Sequence, residues 1–212
     1  MSYVEQKKFF ETAYRTGTDI WTNKLYQSKI FGYISRLPEN TIVLDLGTGR
    51  GRWPFTMAEM GFKVIGIDYI GHLIKINNRE VISRNLEGRI RFIEGDVFDI
   101  NLQNETIDIV TDFGLLQHLV KDDWQKYGSE VNRVLKNGGY VLSVTLSKET
   151  KKFYNFSPED ANEADFEKYG VHYHFFTEDE LKNVYGHNFK IVNAEVLRLE
   201  GESLLIALLR KD

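Results

Sequence analysis

The chain has 212 residues, enough for one domain of ordinary size, and a composition of 42% hydrophobic and 27% charged residues excludes a disordered or fibrous protein. The absence of cysteine excludes disulfides, thiolate metal sites and a cysteine nucleophile, and a net charge of −4 disfavours nucleic acid as a partner. The N-terminus lacks the apolar core of a secretory signal and the longest apolar run, Leu204 to Leu209, is too short to cross a bilayer, so a cytoplasmic location without a membrane partner is expected.

The first forty residues read as two helices. Tyr3, Phe10 and Tyr14 mark one, broken around Gly17; Tyr26, Ile30, Tyr33, Ile34 and Leu37 mark the next, ended by Pro38. From Thr41 short β-rich runs alternate with helices. Thr41–Leu46 is a strand, followed by a glycine-rich turn and a helix with Trp53, Met57 and Met60 on one side, stopping at Gly61. Lys63–Asp68 is a second strand, Ile70–Asn85 a helix, Ile90–Glu94 a third strand and Ile107–Asp112 a fourth. A helix from about Asp123 to Lys136, capped by Asn137-Gly138-Gly139, leads to a fifth strand, Tyr140–Leu146. Such alternation predicts an α/β fold, a doubly wound and mostly parallel sheet with helices on both faces. Phe189–Leu199 and Ser203–Leu209 read as an antiparallel hairpin, and the apolar Ser203–Leu209 run predicts a strand buried inside the sheet. The resulting seven-stranded order is 3-2-1-4-5-7-6, the hairpin strands being the sixth and seventh.

Chemistry concentrates where the first strand meets the following helix, in Val43-Leu44-Asp45-Leu46-Gly47-Thr48-Gly49-Arg50-Gly51. Glycines at 47, 49 and 51 let the backbone turn sharply and lie against a ligand, and free amides at the helix start favour a negative group. Asp68, at the end of the second strand, has the position from which a carboxylate accepts hydrogen bonds from ribose hydroxyls. The loop is G-x-G-x-G rather than the G-x-G-x-x-G of nicotinamide-binding folds, and the preceding Asp45 would repel a pyrophosphate but suits an ammonium group. An amino-acid-bearing nucleoside fits better than a dinucleotide.

Residues 43–51 resemble the first motif of the class I S-adenosylmethionine-dependent methyltransferase family. Ile65-Gly66-Ile67-Asp68 is similar to its second motif and Ile93-Glu94-Gly95-Asp96-Val97 to its third. Asp108–Phe113 with Gln117-His118 resembles the fourth, and Leu135–Tyr140 the turn into the fifth strand. The resemblance implies S-adenosylmethionine as cofactor, with S-adenosylhomocysteine as product. It implies that Gly47, Thr48 and Gly49 pass beneath the methionine portion and that Asp45 helps hold its ammonium. Asp68 would bind the ribose hydroxyls, with Tyr69 beside the adenine. Asp96 would accept from the adenine amino group and the Val97 amide would reach a ring nitrogen. Asp112 or the Phe113 carbonyl would lie near the sulfonium, with Gln117 as a further contact. Residues 9–21 also resemble the opening of thiopurine- and tellurite-type small-molecule methyltransferases, in which an aromatic closes over the cofactor; Tyr14 and Trp21 are the matching aromatics.

The expected organisation is a single domain, with a helical cap over 1–40, a cofactor-binding core over 41–147 and an acceptor-side segment with the hairpin over 148–212. That last segment is rich in aromatics, including Phe153, Tyr154, Phe156, Tyr173 and Phe175, which suits a flat or amine-bearing small molecule. Its acids, Glu159, Asp160, Glu163, Asp165 and Glu167, read as a solvated helix face. His172 and His174 share one face of an extended chain, but without an identifiable third ligand no metal is expected. His118 follows the fourth strand and is the candidate base or acceptor-orienting group. Thr111-Asp112-Phe113-Gly114 is not the N/D-P-P-Y/F sequence of amino-methylating enzymes acting on planar nitrogens. A small-molecule acceptor is therefore expected, the alternatives being a protein or RNA methyltransferase and a noncatalytic S-adenosylmethionine-binding protein.

Overall fold

A computed structural model describes residues 3–19, 21, 27–38, 41–162 and 164–212. Tyr26 of the expected second helix and Glu163 of the expected acidic face lie outside them. The strands hydrogen-bond in the order β3-β2-β1-β4-β5-β9-β8, with a separate two-stranded sheet, β6-β7. The expected seven-strand order is thus present, the C-terminal hairpin being β8 and β9. The chain divides into two compact units, one up to Asp96 and one from Val97.

In the first unit, helix α1 (Tyr3–Thr16) and helix α2 (Gln27–Ile34) precede β1 (Ile42–Leu46), α3 (Arg52–Glu59), β2 (Lys63–Asp68), α4 (Gly71–Ser83) and β3 (Ile90–Glu94). Helix α1 stops where Gly17 takes φ +69° and the Thr18 amide bonds back to the Ala13 carbonyl at 3.0 Å, a left-handed C-terminal closure. Strands β1, β2 and β3 are parallel, and their β-branched residues fall in register, with Val43 beside Val64 and Val64 beside Ile90. Val43, Leu44, Phe55, Met57, Ile67, Leu73 and Phe92 are buried and form the apolar interior of this unit. Met60, expected on the inner side of α3, is exposed because α3 has already ended.

The second unit holds β4 (Ile107–Phe113), α5 (Trp124–Val134), β5 (Leu135–Leu146), β6 (Asp165–Lys168), β7 (Val171–His174), α6 (Glu178–Tyr185), β8 (Phe189–Arg198) and β9 (Ser203–Lys211). Strand β5 is parallel to β4 and antiparallel to β9, which pairs antiparallel with β8 on its other edge. Buried between two strands, β9 has no need of polar alternation, and Leu204 to Ala207 and Leu209 are all in the core. Helices α5 and α6 approach closely at Gly128, where a Cβ would lie 1.9 Å from the Val184 carbonyl oxygen. Glu180 and Thr177 exchange side-chain and backbone hydrogen bonds in a capping box that starts α6.

Three expectations change. Helix α5 ends at Val134, and Asn137-Gly138-Gly139 lies within the β5 span, where the β4–β5 register shifts and Gly138 takes φ +77°; the glycines turn a strand rather than cap a helix. The acids after β5 do not line a helix among the described residues, since Asp165 and Glu167 belong to β6. Strands β6 and β7 and helix α6 were not anticipated. The β6–β7 turn places both Tyr169 (φ +56°) and Gly170 (φ +73°) in the left-handed region, as a two-residue hairpin requires.

Candidate functional site

Strand β1 delivers the chain into a loop in which Gly47, Gly49 and Gly51 all take positive φ (69°, 52° and 72°). The Thr48 amide stays bonded to the Ile67 carbonyl (3.0 Å), so the loop leaves the sheet from a fixed point. A Cβ on Gly51 would lie 2.7 Å from the Phe92 ring, which makes this glycine a packing requirement. A Cβ on Gly49 would lie 2.5 Å from the Tyr14 hydroxyl oxygen. The Gly49 amide donates to Asp68 Oδ2 (2.8 Å), the Ile70 amide donates to Oδ1 (3.0 Å), and Asn77 Nδ2 donates to the Gly49 carbonyl (2.8 Å). Burial raises the Asp68 carboxyl above the usual range, against the pull of the Gly49 and Ile70 amides. Asp45 and Thr48 are buried at the base of the loop.

The helix ahead of the loop is tied to it. Arg50 makes a bidentate pair with Asp19, Nε to Oδ2 at 2.7 Å and Nη2 to Oδ1 at 2.9 Å, and Nη2 also donates to the Tyr14 carbonyl (2.6 Å). Trp21 Nε1 donates to the Tyr14 hydroxyl (3.0 Å), the two rings meeting edge to face. Burial, with the nearby Asp68 charge, keeps the Tyr14 phenol protonated. Tyr69 is half-buried with Lys7 Nζ 5.3 Å from its ring centroid, while Asp96 is exposed just past β3. Arg50, Asp19 and Asn77 were not singled out from the sequence, although Arg50 lies in the glycine motif and Asp19 in the 9–21 stretch.

These residues suit a nucleoside ligand with an amino-acid tail. The backbone at Gly49 lies under the Tyr14 hydroxyl, and the buried Asp68 carboxylate beside it is held by the amides of Gly49 and Ile70.

In the second unit the expected site residues are engaged differently. Asp112 is fully buried, accepts from the amides of Leu115 (2.8 Å) and Leu116 (3.1 Å) and from the Tyr127 hydroxyl (2.7 Å), and is pushed up to about 6 by burial against those bonds. The carboxylate therefore wraps its own turn, and Phe113 is the neighbour that ends β4. Gln117 Oε1 accepts from the Leu146 amide (2.9 Å). His118 Nδ1 lies 2.7 Å from the His172 carbonyl oxygen, so it carries the proton and donates, while Nε2 is 3.4 Å from Gln117 Nε2. Burial lowers the His118 imidazole to about 4. Through Nδ1 the ring is thereby tied to β7. The aromatics of this region pack on one another: Phe166 stacks on Phe156 at 5.2 Å and Phe153 meets Phe175 at the same separation.

Residues 43–139 match the family model described as a methyltransferase domain. Among curated proteins the chain is 30% identical over 118 residues to a protein-lysine N-methyltransferase of Saccharomyces cerevisiae, covering 50% of this chain and 52% of that one. It is 25% identical over 167 residues to a tRNA N(3)-methylcytidine methyltransferase of Schizosaccharomyces pombe, covering 71% and 52% respectively. The chain thus spans about half the length of each of these two relatives. Among solved structures it shares its fold with the 1,6-didemethyltoxoflavin-N1-methyltransferase of Burkholderia thailandensis, with a TM-score of 0.80 at 21% identity over 99% of this chain and 88% of that one.

Proposed function

We propose that the chain is a class I S-adenosylmethionine-dependent methyltransferase that transfers a methyl group to a small-molecule acceptor by in-line displacement, a reading supported by the methyltransferase-domain match over residues 43–139. The observation that carries the reading is Asp68, fixed at the end of β2 by the amides of Gly49 and Ile70. In the proposed complex it accepts from the ribose hydroxyls, Gly47, Thr48 and Gly49 run beneath the methionine portion and Asp45 serves its ammonium. Tyr69 and Asp96 serve the adenine, and Tyr14 with Trp21 closes over the cofactor. In the second unit Asp112 and Gln117 hold the turn after β4. Bound S-adenosylmethionine supplies a methyl whose bond to sulfur breaks as a bond to the acceptor forms, the electron pair leaving on a neutral thioether. With the donor already activated, these residues contribute orientation and exclusion of water. His118 is assigned as a positioning residue for the acceptor-side segment.

Three points support a small acceptor. The Burkholderia enzyme of the same fold holds 1,6-didemethyltoxoflavin, residues 111–114 lack the N/D-P-P-Y/F sequence, and the segment after β5 is aromatic. A protein or RNA acceptor is the second reading, favoured by the two curated relatives. Calorimetry with S-adenosylmethionine and S-adenosylhomocysteine tests the cofactor. Asp68→Ala is expected to weaken both by roughly ten- to a hundredfold, since hydrogen bonds to a charged group contribute about 1.5–3 kcal/mol. Unchanged affinity removes Asp68 from the site. Labelled donor incubated with fractionated cell extract then separates the acceptors: label in the metabolite fraction supports the proposal, and label only in protein or RNA replaces it with the second reading.

A further inference from the structure

Strands β6 and β7 bring together two histidines and a carboxylate that the methyl-transfer reading does not use. Antiparallel pairing sets Asp165 opposite His174, and strand alternation puts His172 on the same face as His174. Asp165 Oδ1 lies 2.7 Å from His174 Nδ1 and 3.3 Å from His172 Nε2. One ligand atom from each of the three residues falls within 4.8 Å of the others. The third ligand that the His172-x-His174 pattern lacked in the sequence is therefore Asp165, contributed by the partner strand.

We propose that Asp165, His172 and His174 bind a divalent cation of the zinc class through two imidazole nitrogens and a carboxylate oxygen. Bonds of about 2.0–2.1 Å to nitrogen and oxygen place neighbouring ligand atoms of a tetrahedral site about 3.3–3.4 Å apart. The 3.3 Å separation of Asp165 and His172 already has that value. The closer Asp165–His174 pair reaches it by a small rotation of the half-exposed carboxylate.

The surroundings support His174 in the way metal-bound imidazoles are usually supported. With Nδ1 turned to the ligand cluster, its buried Nε2 makes no hydrogen bond but has Glu180 Oε1 3.3 Å away, near enough to accept one from it once Nδ1 binds a metal. The other carboxylate oxygen of Glu180 accepts from the Thr177 amide and hydroxyl, each at 2.9 Å. A carboxylate on the outer nitrogen fixes the tautomer and the ring plane of a metal ligand. The rings of Trp124 and Phe176 pack edge-on against His174 at 4.7 and 4.5 Å and hold it further. The His172 and His174 side chains are 12% and 4% exposed and Asp165 is 47% exposed, so the site is dry on the imidazole side and open to a water ligand on the carboxylate side. Two histidines and one carboxylate suit zinc, nickel or cobalt rather than magnesium or calcium, which prefer all-oxygen shells. The same side chains could instead make a metal-free hydrogen-bonded clasp, and the experiment separates the two.

Untagged full-length protein is stripped with chelator and dialysed against zinc, then against cobalt. The proposal expects about one ion per chain, a cobalt visible spectrum of tetrahedral character and a higher melting temperature with zinc. Asp165→Asn, which keeps the side-chain shape, should weaken zinc binding more than about tenfold, and Glu180→Gln should weaken it by about 10–100-fold. His172→Gln serves as a second ligand variant should Asp165→Asn fail to melt cooperatively without metal. No stoichiometric zinc or cobalt, or binding unaltered in the folded ligand variants, overturns the assignment and leaves the clasp.

Discussion

Asp68 and Asp112 are both buried aspartates near the carboxyl end of a parallel strand, one in each unit, and they are used differently. Asp68 receives the Gly49 amide, from a glycine loop that turns away on left-handed dihedrals, and the Ile70 amide of the turn that follows its own strand. Asp112 receives two amides and a phenolic hydroxyl, from a 3-10 turn that folds back over it. Both acids thus bond amides of the turn that follows their strand, and they differ in the further partner: an amide of the glycine loop after β1 for Asp68, the Tyr127 hydroxyl for Asp112. The same contrast holds for the neighbours. Around Gly49 the bonds fix the loop and the Tyr14 ring over it. Around His118 they bind the side chains of Gln117 and His118 to the backbone of Leu146 and His172.

The comparison breaks most severely at Gly49. Valine there places a Cβ 2.5 Å from the Tyr14 hydroxyl oxygen and a branched side chain at φ +52°, a strained conformation for any β-branched residue. It also disturbs the amide that holds Asp68. Affinity for S-adenosylmethionine in Gly49→Val is expected to fall by more than about a hundredfold, beyond the loss in Asp68→Ala. Calorimetry on both variants checks the ranking. Normal binding by Gly49→Val would reduce the loop to a structural turn and remove the difference between the units.

This asymmetry also sets what was legible in the sequence. A loop with three left-handed residues in five favours glycine, and a buried central strand needs an apolar run, so Gly47 to Gly51 and the insertion of β9 follow from local chemistry. The fates of Asp112, Gln117 and His118 depend on Tyr127, Leu146 and His172, which are distant in sequence and are brought close only by the fold. The β6–β7 hairpin was hidden for another reason. Its turn is Tyr169-Gly170, without the Asn or Asp that marks most such turns, so alternating acids on a strand passed for one face of a helix. The Asp165–His174 juxtaposition was lost with it.

A smaller effect is expected at His118, where pH sharpens the comparison. Its imidazole is lowered by burial from 6.5 to about 4, so its contribution to stability is present above pH 6.5 and lost as pH falls through about 4. Asp112 runs the opposite way: raised from 3.8 to about 6, its contribution is present below 3.8 and lost as pH rises through about 6. In His118→Asn the amide nitrogen can replace Nδ1 as donor to the His172 carbonyl, but nothing remains to titrate. Relative to the wild type, the variant should gain about 2 kcal/mol between pH 7.5 and pH 5, read from urea unfolding at each pH. Subtraction cancels Asp112. A difference that stays constant over that range would mean an imidazole of ordinary basicity, and His118 would return as a candidate base.

The smallest effect is expected at Arg50, and it asks whether the α1 tether belongs to the ligand side of the comparison. Arg50 is 39% exposed and its partner Asp19 is 6% exposed, so water screens much of the attraction between them. What the guanidinium adds is geometry: two parallel bonds to Asp19 and a third to the Tyr14 carbonyl. Lysine keeps the charge and loses that fork, so Arg50→Lys should cost under about 1 kcal/mol of stability. If the tether holds Tyr14 over Gly49 for the ligand's benefit, most of that loss should appear in binding, as up to about fivefold weaker S-adenosylmethionine affinity with little change in melting temperature. Tyr14→Phe, which removes the acceptor for Trp21 Nε1, should then weaken affinity by a similar factor. A fall in melting temperature with affinity intact in both variants would make the tether a structural element, leaving ligand selection in the first unit to the loop and Asp68.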